Sequence, residues 1–406
     1  MKLISTNSQE WQKLCARLTV RKRKLEERVR QIIDAVYDGG DEALLRLTRK
    51  FDKVKLAPRQ LRVTEAEISG AFQHLDPKFA LQLKSAIQNV NAFYSRPRLK
   101  PVRAIDGDGV VLSEKFDPLE RVGVYIPGGT ASLVSTVYMT VIPARKAGVK
   151  RLILATPPRR DGAVDPHILA VASLLDVDEV YRMGGAQAIA AMAFGTKTIP
   201  KVDKIVGPGN AYVAEAKRQL FGYIDIDTIA GPSEIAVIAD RYANPDYVLA
   251  DLMGETEHAG GIGFLVTTSR ALAKLSRKQI PGGYCMKVKN LDEAVAVANQ
   301  LAPEHLELMV RSPQKLAKRI TAAGAIFLGP YSPVTVGDYV AGPSHVLPTG
   351  GAARVFSGLG IDDFTRRTHI ISYTKKALER MREPLERLTA VEGLPRHFDA
   401  VKVRLT

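Results

Sequence analysis

Ala302-Pro303-Glu304-His305 sets a carboxylate beside an imidazole at the head of Leu306 to Val310, a stretch whose pattern predicts a helix. Neighbours on a helix do not share a face, so Glu304 and His305 would reach two different points of one bound substrate. Histidine titrates near neutrality and burial lifts a glutamate, so the pair suits two proton transfers at one site. The plain alternative is a solvated helix start. Glu255-Thr256-Glu257-His258 offers a second pairing. Glu255 and His258 stand at i and i+3, on one helix face, where a carboxylate and an imidazole can ligate one divalent cation. An ordinary surface pair is the alternative there. Asp338, in Gly337-Asp338-Tyr339, adds a carboxylate, and His345 follows within Gly342-Pro343-Ser344-His345-Val346-Leu347-Pro348. His397 lies in the tail, after Glu392-Gly393-Leu394. The chain has seven histidines, and His258, His305, His345 and His397 all sit in motifs punctuated by glycine or proline. His74, His167 and His369 have no such setting and read as packing or surface residues. Two imidazoles and two carboxylates suit zinc, with manganese or iron as alternatives.

Two turns look able to hold an anion. Gly207-Pro208-Gly209-Asn210 precedes a good helix from Ala211 to Lys217, with Asn210 placed to cap it. Glycines let a ligand approach the backbone, and free N–H groups at a helix start favour phosphate. Gly184-Gly185-Ala186-Gln187 is a second such turn. Either is also consistent with a simple strand-to-helix connection. Neither spells the G-x-G-x-x-G fingerprint, and no acidic residue stands at the expected distance, so a dinucleotide would be held in an unusual way.

The elements that must position these residues alternate. Residues 1 to about 100 read as mainly helical: Val29, Ile32, Ile33 and Val36 recur at helical spacing and stop at Gly39-Gly40, and Asp41 can cap a further helix carrying Leu44, Leu45 and Leu47. Short strands follow, at Val122 to Ile126, Arg151 to Ala155 and Glu179 to Met183, each leading into a turn and a helical stretch such as Ala186 to Ala193. That alternation predicts a parallel sheet with helices on both faces and ligands along the edge where the strands end. A second set, at Glu234 to Ile238, Gly263 to Val266 and Ala325 to Leu328, predicts another α/β unit. In the tail, Thr368 to Tyr373 reads as a strand and Lys375 to Leu388 as a charged amphipathic helix.

Composition narrows the class. At 406 residues, 46% hydrophobic and 25% charged, the chain is a folded protein too long for one ordinary core. No apolar run reaches the ~18 residues of a membrane span. Met1 to Asn7 lacks the apolar stretch of a secretory signal. Cys15 and Cys285 are isolated, so a reducing, cytoplasmic setting is expected, with neither cysteine a nucleophile. The net charge of +15 raises a nucleic-acid reading. Acidic residues are interleaved throughout, however, and only 6% of residues are aromatic, which leaves few stacking platforms. A basic solvated surface that draws in an anionic cofactor is preferred, and neither nucleic acid nor membrane is expected as a partner.

Taken together, Val124-Tyr125-Ile126-Pro127-Gly128-Gly129, Gly184 to Ile189, Gly207 to Val213, Ala230-Gly231-Pro232-Ser233-Glu234, Ala302 to Leu308, Ser332 to Thr349 and Glu392 to Val401 resemble the histidinol dehydrogenase family. They occur in family order and span nearly the whole chain. The resemblance implies NAD-dependent oxidation of L-histidinol to L-histidine through L-histidinal, closing histidine biosynthesis, with zinc and two NAD⁺ per turnover. It implies NAD contacts at Tyr125, Gln187 and Asn210, and proton acceptors at Glu304 and His305. It implies zinc ligands at Glu255, His258, Asp338 and His397. It implies substrate contacts at Ser233, His345 and Glu392, beside the metal ligands and His305. The implied fold is α/β: two incomplete Rossmann-like domains of the aldehyde dehydrogenase-like kind, with terminal extensions, in a domain-swapped homodimer whose sites are shared. Residues 1–21 would be an arm. Residues 22–124 with 235–358 would form the domain of the metal and catalytic groups, residues 125–234 the NAD domain, and residues 359–406 the swapped extension.

Two departures from the family pattern stand out. Glu255 occupies the position of the family's usual glutamine, which adds a negative charge and leaves a bound metal less Lewis-acidic. Positioning should survive that change. The stretch from Ser269 to Leu291 is short, with Gly282-Gly283 expected to close it as a tight loop. The nearest alternative is a related metal- and NAD-dependent dehydrogenase acting on another polar alcohol. A metal-dependent hydrolase is the alternative from another class.

Overall fold

The computed structural model describes residues 1–17, 21–95, 103–105, 107–128, 132–229, 231–257 and 260–406. The chain divides into two compact units, Met1–Ser95 with Leu119–Phe364, and Arg96–Pro118 with Thr365–Thr406. The strands, in chain order, are β1 (Lys2–Leu3), β2 (Arg103–Ile105), β3 (Val111–Pro118), β4 (Arg121–Tyr125), β5 (Arg151–Thr156), β6 (Glu179–Arg182), β7 (Lys204–Val206), β8 (Asp225–Ile226), β9 (Glu234–Ala239), β10 (Ile262–Thr267), β11 (Tyr284–Lys287), β12 (His305–Met309), β13 (Ala325–Leu328) and β14 (Thr365–Ser372).

The first unit holds two parallel sheets, in the orders β6-β5-β4-β7-β8 and β1-β11-β10-β9-β12-β13. Counted within its own set, each runs third, second, first, fourth, fifth, which is the order of a dinucleotide-binding sheet. The N-terminal strand β1 is added at one edge of the second. Both sheets are covered on both faces, so their strands are continuous apolar runs and not alternating ones. Successive residues still part company. Val122, Val124, Leu152 and Leu154 join one core, while Tyr125, Ile153 and Ala155 join the core on the other face. In the second sheet Ala236, Ile238, Leu306 and Leu308 face one way, and Ile235, Val237 and Met309 the other.

Most of the predicted elements are present, and two differ. Leu306 to Val310 belongs to strand β12 and not to a helix. The run is too short to bury a helical stripe, and it pairs in parallel with β9 and β13, His305 lying opposite Ile235 and Ala325. The stop at Gly39-Gly40 is present: Gly40 is non-helical, with φ of 49° and ψ of −131°, and parts two helices within Arg23–Phe51. The Asp41 carboxylate accepts from Thr196 Oγ1, and from Thr198 N and Thr198 Oγ1 at 3.3 and 2.5 Å. The tail helix is two, Lys375–Arg380 and Arg382–Val391, parted at Met381. The short segment before Leu291 carries one helix, Arg270–Gln279, and then a turn into β11. Gly283 makes that turn possible: its φ is +75°, and a Cβ there would lie 2.2 Å from Gly263 O.

The second unit is an antiparallel sheet, β14-β3-β2, with the helices Lys375–Arg380, Arg382–Val391 and Pro395–Leu405. No described helix is long and apolar enough to cross a membrane.

The N-terminal segment is tied down as part of the second parallel sheet. Lys2 N donates to Gly283 O and Ile4 N to Cys285 O, at 2.9 and 3.0 Å. Ser8 caps the helix Gln9–Cys15, and Trp11, 1% exposed, packs in the core of Ile4, Phe264 and Leu306. Trp11→Ala is expected to cost about 3–5 kcal/mol, read as a lowered urea midpoint for the transition of the first unit.

Candidate active site

β12 begins where the chain leaves the helix Leu291–Leu301 through Ala302, which is left-handed at φ 49°. A non-glycine residue there costs roughly 1 kcal/mol or more, and it is held by its N–H bond to Ala298 O and by the Pro303 that follows. The turn delivers Glu304 and His305 at the amino-terminal edge of the sheet. Both are buried, at 6% and 3% exposure. The edge is opposite to the one expected from the strand-to-helix loops. The reason is the helix Pro245–Thr256, which runs back from β9 and returns its last turn, with Glu255, to the strand beginnings.

His305 faces two carboxylates. Its Nδ1 lies 3.4 Å from Glu255 Oε2 and its Nε2 3.6 Å from Asp338 Oδ1. These are ion-pair distances, too long for good hydrogen bonds. Both ring nitrogens and Glu255 Oε1 are buried with no hydrogen-bond partner among the described residues. Glu304 Oε2 accepts from Glu234 N at 3.0 Å. One ligand atom each from Glu255, Glu304 and His305 lies within 4.8 Å of the others, close enough to hold a metal ion between them. Burial pushes Glu304 up to about 8, opposed by the His305 charge and reinforced by Glu255 and Glu234. For His305, burial works downward. The carboxylates Glu304, Glu255 and Asp338 outweigh it and hold the imidazole up at about 9.

His345 joins the same place through the backbone: its Nδ1 is 2.9 Å from Asp338 O and its Nε2 3.1 Å from Thr136 Oγ1. His305, Asp338 and His345 line a cleft of about 760 Å³. Ser233 is half-buried, directly before Glu234. Glu392 and His397 belong to the second unit and are exposed on it. His258 lies outside the described residues.

Tyr125, Gln187 and Asn210 come together in a separate cleft of about 880 Å³, at the carboxyl edge of the first sheet, beside the central strand β4. That edge, where the strand order reverses, is where such sheets bind ligands. Tyr125 Oη accepts from Gly185 N at 3.0 Å, and burial pushes its phenol up to about 12. Asn210 Oδ1 caps the helix Ala211–Leu220, accepting from Tyr212 N and Val213 N at 2.9 and 3.2 Å. The turn before it is pinned from beneath. Gly207 N donates to Asp227 Oδ2 at 2.7 Å, while the buried Lys217 Nζ reaches Gly207 O and Asp227 Oδ1 at 2.5 and 2.6 Å. Gly207 must be glycine: its φ is +113°, and a Cβ would sit 2.1 Å from Tyr125 O.

Three carboxylates escaped the sequence reading. Glu234 opens β9 and is held by Arg17 through both oxygens, at 2.7 and 2.6 Å, and by Gly350 N at 3.1 Å. Glu307 sits within β12. Asp52 lines the Tyr125 cleft, with burial pushing it up to about 6 and Oδ2 without a partner. The available signal for Glu234 and Glu307 was a lone acid at the start of, or inside, an otherwise apolar strand, where burial without a purpose is costly.

Comparison with known proteins places this geometry. A solved structure assigned as an aldehyde dehydrogenase from Burkholderia cenocepacia covers 86% of this chain and 92% of its own, with TM-score 0.50 and 14% identity. That is a likeness of fold, and it defines the class as α/β with parallel sheets, aldehyde dehydrogenase-like. A closer likeness is to histidinol dehydrogenase from Elizabethkingia anophelis, with TM-score 0.92, 35% identity and coverage of 100% and 98%. The histidinol dehydrogenases of Bacillus cereus and Listeria monocytogenes are each 45% identical over 399 and 402 residues, covering 94% of this chain and 92% and 93% of theirs. The sequence model of histidinol dehydrogenase matches residues 15–405. The chain belongs to the histidinol dehydrogenase family, oxidoreductases that catalyse the final step of histidine biosynthesis.

Proposed function

We propose that the chain oxidises L-histidinol to L-histidine through L-histidinal, with two NAD⁺ consumed per turnover, at a zinc site shared between two subunits. The observation that carries this is the buried row Glu255–His305–Asp338 with Glu304 beside it. The donor set fits a divalent cation: buried carboxylate and imidazole atoms without hydrogen-bond partners are groups for which an ion would compensate. Glu255, His258 and Asp338, with the partner subunit's His397, would hold zinc, with manganese as an alternative. Zinc bound there supplies a fixed grip on the amine and imidazole of the substrate. NAD⁺, held by Tyr125, Gln187 and Asn210, supplies the hydride acceptor for both oxidations.

The residues of the chain do the rest. His305 accepts the alcohol proton in the first oxidation. Glu304 accepts a proton from the water that adds to the aldehyde, preparing the second. Ser233, His345 and Glu392 orient the substrate. A thioester route through cysteine has little support: burial raises the thiols of both Cys15 and Cys285, and Cys285 lies in the core on β11. In this reading residues 22–124 and 235–358 carry the metal and proton-transfer groups, residues 125–234 carry the dinucleotide, and residues 359–406 reach into the partner subunit beyond an N-terminal arm of residues 1–21. The setting is cytoplasmic.

A coupled assay tests the reaction. Histidinol with NAD⁺ should yield two NADH per histidinol consumed, and chelation should abolish turnover until zinc is restored. A yield of one NADH, with the aldehyde accumulating, would remove the role given to Glu304.

Shared sites have their own test. His305→Asn and His397→Asn homodimers should each be inactive, the first retaining metal and the second binding it poorly. Mixed dimers should recover part of the activity, because one of their two sites contains neither substitution. Absence of recovery in verified mixed dimers counts against sharing.

The pH profile follows from the site charges. A base must be deprotonated to act, so Glu304 works above its pKa of about 8 and His305 above about 9. The value of kcat/KM should therefore rise with pH across that window. A steady fall from pH 7 to 9 would contradict the assignment of both groups as bases.

A further inference from the structure

Helix Pro245–Thr256, strand β12 and helix Val334–Tyr339 are joined twice. The upper rung is the reactive one, Glu255–His305–Asp338. A second rung lies one step further along each element. Asp251 stands four residues before Glu255 on its helix, Glu307 two residues after His305 on the strand, and Val334 four residues before Asp338 on its helix. Those spacings put each residue on the same face as its counterpart in the upper rung. The second rung is tied by a hydrogen bond: Val334 N donates to Glu307 Oε1 at 3.0 Å, which joins β12 to the helix Val334–Tyr339, and Asp251 faces Glu307 from the other helix. Glu307 is 1% exposed, and its Oε2 has no hydrogen-bond partner among the described residues. Burial raises both carboxyls.

We infer that the Asp251–Glu307–Val334 rung is a positioning device that sets the spacing of Glu255, His305 and Asp338. Its members touch none of the reacting groups. They fix the two helices against β12, one turn and one pleat away. The inference rests on the reading of Glu255 and Asp338 as metal ligands, since displaced helices would misplace those two groups most.

The test uses the full-length protein and reads two quantities: the zinc affinity of the metal-free protein, by competition with a chelating dye, and kcat and KM for histidinol. Glu307→Gln can donate to Asp251 and accept from Val334 N, so it should stay within about threefold of the unaltered protein, and Glu307→Leu should lose about tenfold or more in zinc affinity and in kcat. The double substitution Asp251→Leu with Glu307→Leu leaves no side-chain carboxyl stranded and only the Val334 N–H unmet, so it should still fold, with a modestly lowered melting temperature. It should nevertheless lose about tenfold in zinc affinity, because Val334 N–H has lost its acceptor. A folded double variant with unaltered zinc affinity and kcat overturns the inference. So does Glu307→Gln falling as far as Glu307→Leu. Glu255→Ala is the control: undiminished zinc binding there would overturn the ligand reading itself, and the inference with it.

Discussion

The structure around β12 depends on the cost of removing charge from water. Glu304, His305, Glu255 and Glu234 are all buried, and an isolated ionised group in such a place is strongly disfavoured. Each is therefore given a counterpart. Arg17 neutralises Glu234 through both carboxylate oxygens, a backbone N–H meets Glu304, and His305 stands among three carboxylates. The compensation is incomplete: two imidazole nitrogens and one Glu255 oxygen have no hydrogen-bond partner among the described residues. That residual deficit is one a cation between these groups would compensate, and it marks the cluster more clearly than any motif.

The two parallel sheets share one strand order and use opposite edges. The first presents its carboxyl edge, where Tyr125, Gly185, Gln187 and Asn210 line a cleft. The second presents its amino edge, because a helix that follows a parallel strand must run back to where that strand began. Glu255 at the end of one such helix and Asp338 within another thus meet His305 at the start of β12. A repeated architecture thus gathers its polar side chains at opposite ends of the strands in the two sheets. Both places are braced from beneath, by Lys217 and Asp227 under the Gly207 turn and by the Val334 N–H to Glu307 bond under the row at His305.

Much of this was legible in the chain. The alternation of strands and helices, the Asn210 cap and the strands β4, β5, β6, β9, β10 and β13 were read from local pattern, because propensity, capping and turn chemistry act over a few residues. The error at Leu306 to Val310 has a physical origin. A short apolar run is compatible with a helix or a buried strand, and only its pairing partners decide. That error altered the expected geometry. On a strand, His305 and Glu307 share a face, so Glu307 belongs with the helix that carries Glu255, a relation that helical spacing conceals. Asp52, at the end of a helix, was missed because nothing in its local run marks its carboxylate as buried.

By itself, the sequence determined the inventory: which acids and imidazoles exist, the glycines that let turns close, the α/β class and membership of the family. Tertiary structure decided which of those groups meet. Glu255, His305 and Asp338 come from separate elements, and their approach follows from the order of β9, β12 and β13 and from the return of helices across the sheet. Proximity of that kind, and the burial that sets how strongly each group holds its proton, is a property of packed elements. It arises from sheet pairing and the exclusion of water, which no local run of residues encodes.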